Sequence, residues 1–327
     1  MFNLKIIIMA SKKSDYLNSV LETHRMAHID ALLTKYKNKR ADVKEALEEY
    51  YTSNIYSPLN SGSYAKSTAI NSKFDLDIVI PFKRNSFDTL EKLFDDIYIF
   101  LYDKYRNEAT VRKQKVSIGI EFYSDEDNDI ISLDIVPGRE LNQGQYIDDK
   151  NLNLFVNSKY GTIDEKTHIQ TNINAQIEHI KAKVDERKII RLFKIWKHMN
   201  YEPYKSFFFE LITIKAFDKT EITGDLWDKL KAVMEYIKDN VSKDSFKLTD
   251  PGNSNNDVME TLDSLGKTNL SNRMSTIIKR IEENDENIKS YFPVNEEFDE
   301  EKSSNNSYGI KGSVVLPSIP KNDQRFG

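Results

Sequence analysis

Two acidic residues stand one position apart at the head of an apolar, β-branched run, Asp75-Leu76-Asp77-Ile78-Val79-Ile80. Side chains alternate along a strand, so Asp75 and Asp77 project from one face while Leu76, Ile78 and Ile80 enter a core on the other. Carboxylates held that close on an apolar strand repel each other and lose hydration unless a divalent cation lies between them. A strand over Phe74 to Phe82, closed by Pro81, is therefore a candidate metal-binding element. Hard oxygen ligands of this kind suit Mg²⁺ or Mn²⁺ rather than zinc.

A two-ion site needs a further ligand, and Asp134 supplies one. In Ile131-Ser132-Leu133-Asp134-Ile135-Val136 it is the single acid of another apolar strand, aimed opposite to its Leu and Ile neighbours. Two ions about 3.5 to 4 Å apart flank an in-line phosphoryl displacement. Gly62-Ser63, in a turn segment upstream, presents backbone N–H groups with no Cβ in the way, which suits the β and γ groups of a triphosphate. An Asp-x-Asp alone is common at strand edges; its order with Gly62-Ser63 and a later strand Asp singles it out. Asp125, Glu126, Asp127 and Asp129 lack an apolar frame and read as a solvated turn.

The surrounding pattern predicts an α+β chain. Residues Asp15 to about Tyr51 carry apolar positions at three- and four-residue intervals, predicting one long helix and a second short one. A turn over Asn54 to Tyr64, a helix over Ser86 to Tyr105, and strands over Val111 to Tyr123 and Ile130 to Val136 complete a small sheet lobe, the last strand stopping before Pro137-Gly138. From Asp164 onward the pattern is helical: Thr167 to Val184, Glu186 to Met199, Tyr204 to Phe217, Gly224 to Asn240 and Leu265 to Asn284. The expected division is residues 1–160 for the core lobe with its catalytic sheet, 161–292 for a helical lobe completing a cleft, and 293–327 for a flexible acidic, Pro-containing tail.

Composition removes several function classes. Cysteine is absent, which excludes disulfides, thiolate zinc sites and a cysteine nucleophile and fits a cytoplasmic protein. His24, His28, His168, His179 and His198 are scattered and form no plausible zinc site. A net charge of -5 disfavours bulk duplex binding while leaving room for a local basic groove. The apolar stretch Phe2 to Met9 is interrupted by Lys5 and is far shorter than the roughly 20 residues of a spanning helix, so neither a membrane anchor nor a secretory signal is expected.

Gly-Ser, a spacer, Asp-x-Asp on a strand and a later strand Asp resemble the signature of the polymerase beta nucleotidyltransferase superfamily. The run Asp185 to Lys197, then Ser206-Phe207-Phe208-Phe209-Glu210-Leu211-Ile212, then Asp250-Pro251-Gly252-Asn253 resembles its oligoadenylate synthase and cyclic GMP-AMP synthase branch, which in bacteria includes the CD-NTases. The resemblance spans roughly residues 50 to 290. It implies a bilobed nucleotidyltransferase fold: a small mixed β-sheet lobe with flanking helices and a mostly helical second lobe. It implies catalytic, metal-binding Asp75, Asp77 and Asp134 with two Mg²⁺ or Mn²⁺ ions, and ATP, GTP or other nucleoside triphosphates as substrates. Gly62, Ser63, Lys194 and Ser206 would hold the donor triphosphate, and Phe207 would stack on the base, although Phe207 to Phe209 also reads as an aromatic core run.

By the same resemblance the chain would make a cyclic oligonucleotide that acts on a separate effector in anti-phage (CBASS) signalling. The alternatives are a linear-product or RNA- or protein-modifying transferase, and an inactive nucleotide-binding scaffold. Without cysteine it departs from the animal sensor's zinc-mediated DNA binding. A tail ending in Gly327 is compatible with conjugation or a regulatory partner, though a plain disordered end is the favoured reading. Asp250 to Asn253 is turn and cap chemistry.

Overall fold

The computed structural model describes residues 2–157 and 167–299. Two 22-residue helices open the chain, α1 (Phe2–Thr23) and α2 (Asp30–Tyr51), separated by a 3₁₀ turn at Met26–Ile29. Both are long, where the apolar spacing predicted one long and one short. They break at this turn because they serve different cores. Leu17 and Val20 of α1 join the helical core, whereas Leu33, Tyr36, Val43 and Leu47 of α2 line the sheet.

After α2 come β1 (Leu59–Ser61), the one-turn helix α3 (Gly62–Ala65), β2 (Leu76–Phe82) and α4 (Leu90–Tyr105), the last capped by the Thr89 side chain. The predicted strand over Val111 to Tyr123 is in fact a hairpin, β3 (Ala109–Lys113) and β4 (Ile118–Phe122), closed by a hydrogen bond from the Gln114 N–H to the Ser117 carbonyl at 2.8 Å. The next strand, β5 (Ser132–Glu140), does not stop before Pro137-Gly138 but runs through both. One edge of β5 pairs in parallel with β2 from Leu133 to Arg139. Its other edge is shared, with Ser132 to Ile135 on β4 and Gly138 to Glu140 on β6 (Leu152–Phe155). Pro137 falls where the partner changes and no ladder donor is needed. Gly138 is needed for contact, since a Cβ there would sit 2.9 Å from a methyl of Leu152.

A short helix, α5 (Tyr146–Asp149), precedes β6, and β7 (His168–Thr171) pairs with β6. Among the described residues the sheet therefore has seven strands, ordered β1-β2-β5-β4-β3, with β6 branching from β5 and β7 pairing with β6. It is mixed: β2 and β5 are parallel and every other pairing is antiparallel. Helices α2 and α4 cover one face, burying Leu93, Phe94, Ile97 and Leu101 against Leu76, Ile78, Ile80, Leu133 and Ile135.

The second lobe is built from α6 (Ile173–Lys181), α7 (Val184–Met199), α8 (Ser206–Lys219), α9 (Leu226–Asn240), the hairpin β8 (Thr249–Asp250) and β9 (Asn253–Asp257), α10 (Ser264–Glu283) and α11 (Ile288–Tyr291). A helix was expected from Thr167, but residues 168–171 are strand β7, and α6 begins only after the Asn172 side chain caps it. Phe193, Trp196, Phe208, Phe209, Trp227, Leu230, Met234, Met274 and Ile277 pack one continuous core. The Asp250 to Asn253 turn belongs to this scaffold: Asp250 is buried and accepts from the Gly252 N–H at 2.8 Å and from Gln176 on α6 at 3.0 Å. Among the described residues no helix is long and apolar enough to cross a membrane. The expected boundary at 160 and the tail from residue 300 to Gly327 lie outside the described residues.

Candidate active site

The parallel register of β2 and β5 places Asp77 directly beside Asp134. Both turn away from the face that α2 and α4 bury, because Leu76, Ile78, Leu133 and Ile135 occupy that face. Asp75 stands one residue ahead of β2 rather than within it. One carboxylate oxygen from each of Asp75, Asp77 and Asp134 lies within 4.8 Å of the others. Asp77 is 5% exposed and Asp134 1%, so the mutual repulsion is poorly screened by water. Three hard oxygen donors converging in such a place fit one or two Mg²⁺ or Mn²⁺ ions.

Antiparallel pairing sets Ser61 of β1 opposite Asp77, and the chain then turns sharply at Gly62. Gly62 has φ +73, and a Cβ there would overlap Asp77 Oδ2 and approach its Cγ to 2.8 Å. Glycine is thus required twice, by the left-handed backbone and by the carboxylate pressed against it. The turn is tied closed by the Thr68 N–H, which donates to the Ser63 carbonyl at 2.9 Å.

The helical lobe reaches this turn from the opposite side. Lys194 of α7 donates from Nζ to Thr68 Oγ1 at 3.0 Å, which links it through Thr68 to Ser63. Burial pushes the Lys194 ammonium down to about 8, an effect opposed by Glu210 and Asp75 and reinforced by Lys66. Ser206 and Phe207 are the first residues of α8. The Phe207 ring lies 4.7 Å beneath the Lys66 ammonium, which also pairs with Glu210 at 2.8 Å. Ser206 is one helical turn before Glu210 and so shares its face.

A second acidic group shows what distinguishes a site from a clasp. Asp125, Asp127 and Asp129 also bring oxygens within 4.8 Å of one another, but Lys35 of α2 already fills their centre, at 2.7, 2.5 and 2.6 Å. The segment is the exposed turn expected, with its carboxylates bound by a lysine. An internal ammonium replaces the cation and fastens the loop after β4 to α2.

No family model and no curated protein sequence matches the chain. Solved structures do. CdnC of E. coli MS115-1 with ATP superposes at a TM-score of 0.63, with 20% identity over 83% of this chain and 91% of that one. The DncV cyclic AMP-GMP synthase of Vibrio cholerae, a prokaryotic cGAS homolog, gives 0.55 at 12% identity over 90% of each chain. The CdnE cyclic dinucleotide synthase of Elizabethkingia meningoseptica with GTP and Apcpp gives 0.55 at 15% identity, covering 74% and 91%.

The chain has the CD-NTase fold.

Within this CD-NTase fold Asp75, Asp77 and Asp134 converge, Gly62 presses on Asp77, Lys194 reaches Ser63 through Thr68, and Ser206 and Phe207 open the helix whose Glu210 pairs with Lys66. Sequence reasoning gave no role to Lys66, Glu210, Gln114 or Lys35. A signal for Glu210 was present: it is the one acid in the apolar run Phe207 to Ile214, where a buried charge demands a partner. The Lys66–Glu210 pair, with side chains only 8% and 5% exposed, ties the glycine turn to the helical lobe. Gln114 donates to Asp134 Oδ1 at 3.0 Å, and nothing in its local sequence announces that contact.

Proposed function

We propose that this chain is a metal-dependent nucleotidyltransferase that joins nucleoside triphosphates into a cyclic oligonucleotide messenger with release of pyrophosphate, in bacterial anti-phage signalling. The observation that carries the reading is the convergence of Asp75, Asp77 and Asp134 on one point, beside a glycine turn and a lysine from the opposite lobe. The cyclic product is supported by kinship of fold with synthases such as DncV and CdnE.

Asp75, Asp77 and Asp134 would hold two divalent ions, which supply charge neutralisation and lower the pKa of an attacking hydroxyl. The Gly62-Ser63 turn presents backbone N–H groups to the donor's β and γ phosphates, and Lys194 adds the positive charge that those dipoles lack. Phe207, steadied by Lys66, offers a flat face to the base, worth roughly 1–3 kcal/mol by stacking. A ribose hydroxyl of the second nucleotide attacks the α-phosphorus, the bond to the bridging oxygen breaks, and pyrophosphate departs. Repetition within the same groove closes the ring. The sheet lobe, which β7 completes, and the helical lobe, which α1 joins, would form the two walls of a nucleotide cleft, and the tail beyond 292 would be the place for a conjugation or regulatory partner.

Incubation of the chain with all four triphosphates and Mg²⁺ or Mn²⁺ tests this. Mass spectrometry is expected to find a product resistant to phosphatase because it has no terminal phosphate. Asp75→Asn with Asp77→Asn should abolish it with the fold retained, and undiminished product from that double variant would overturn the assignment.

A further inference from the structure

One row of residues crosses the sheet in register: Ser61, Asp77, Asp134, Gly119 and Arg112. At Gly119 the row has no side chain, and that gap is occupied. The Gln114 amide, from the turn between β3 and β4, folds back into it. A Cβ on Gly119 would stand 2.5 Å from Gln114 Nε2 and 3.4 Å from Asp134 Oδ1. No left-handed φ demands glycine here, so the residue is explained by the amide it admits.

The amide is held at both ends. Its Nε2 donates to Asp134 Oδ1 at 3.0 Å, and Ser117, 1% exposed, donates from Oγ to Gln114 Oε1 at 2.8 Å. The polarity follows from chemistry: an ionised carboxylate only accepts, so the NH₂ end must face Asp134 and the carbonyl end must take the hydroxyl proton. The turn carrying Gln114 is itself pinned, by the bond from the Gln114 N–H to the Ser117 carbonyl and by the Asn157 N–H on the Lys115 carbonyl at 2.7 Å. Neighbouring Lys113 is committed elsewhere, to Asp95 at 2.5 Å.

We infer that Gln114 is a positioning residue for the metal site. Held by Ser117 and admitted by Gly119, it locks Asp134 in one rotamer, with Oδ1 engaged by the amide and the carboxylate aimed at the point shared with Asp75 and Asp77. The inference rests on the metal-binding reading of those three residues. A hydrogen bond that orients a ligating carboxylate is typically worth on the order of 10–100-fold in metal affinity. A glutamine that merely satisfied a buried acid would leave metal affinity alone.

The test is titration of the full-length chain with Mn²⁺, with free Mn²⁺ followed by electron paramagnetic resonance. Gln114→Met removes the donor at similar length, and Gly119→Ala keeps the glutamine but expels its amide from the gap. Each is compared with wild type at a temperature where thermal unfolding shows it folded, so failure of one variant leaves the other decisive. Both are expected to raise the Mn²⁺ dissociation constant about 10–100-fold, while ATP binding in EDTA stays within about twofold of wild type. Mn²⁺ affinity within about twofold of wild type in the folded variants would overturn the role of Gln114. If Asp75→Asn with Asp77→Asn weakens Mn²⁺ binding in that case, only this inference fails; if that double variant also binds normally, the metal-site reading fails with it.

Discussion

Gly62→Ala perturbs the close contact between the glycine turn and Asp77. At φ +73 an added Cβ meets the left-handed penalty of an L-residue, roughly 1–2 kcal/mol. The same Cβ overlaps Asp77 Oδ2, so the carboxylate must leave its rotamer, at roughly 0.5–1.5 kcal/mol more. The total loss expected in urea denaturation is therefore about 1.5–3.5 kcal/mol. Asp77→Ala removes the obstructing carboxylate and leaves only an ordinary 3.4 Å approach to Cβ. In that background Gly62→Ala should cost only the backbone part, about 1–2 kcal/mol, and the shortfall is the coupling between the two residues. Displacing a catalytic carboxylate by about 1 Å costs on the order of 10²-fold in rate, so pyrophosphate release by Gly62→Ala should fall at least that far. An equal stability cost in both backgrounds would refute the claim that the turn is built against Asp77.

Three further outcomes are expected. Lys194 has a pKa depressed to about 8 and in this account holds phosphate only when protonated, so triphosphate affinity should fall about tenfold between pH 7 and 9; Lys194→Arg should flatten that limb, and a wild-type affinity constant from pH 7 to 9 would refute the role. Lys66→Met strands Glu210 as a buried unpaired charge and should cost about 3–5 kcal/mol in urea denaturation, much of it recovered by adding Glu210→Gln. Lys35→Met should lower thermal stability with little effect on turnover. The Lys35 ammonium, bonded to three carboxylates, is raised above its usual pKa and Asp125 is lowered, so this clasp contributes above about pH 4 and is lost as acid protonates Asp125. The difference between wild type and Lys35→Met should accordingly vanish at low pH, and a difference that persists there would contradict the clasp.

The carboxylate strand was legible because alternation is a local property: Leu76, Ile78 and Ile80 had to face one way and Asp77 the other. Helices α7 to α10 were legible for the same reason at a period of 3.6. Features set by distant partners were not. The turn at Gln114 to Val116 contains no Gly or Pro, so Val111 to Tyr123 read as one strand. β5 continues through Pro137 because its edge partner changes there, which depends on where β4 and β6 lie. β6 and β7 are four-residue strands with little intrinsic signal, formed on an edge that β5 leaves open. Lys66 and Glu210 are 144 residues apart, and Lys35 lies about 90 residues before its acidic partners, so neither pairing had a local signature.

The central claim is tested most directly by anomalous scattering from crystals of the chain grown with Mn²⁺ and a nonhydrolysable ATP analogue. Mn²⁺ peaks among the oxygens of Asp75, Asp77 and Asp134, beside a triphosphate lying along Gly62-Ser63, are expected. Bound nucleotide with no peak at those three residues, or Mn²⁺ found only at Asp125, Asp127 and Asp129, would contradict it.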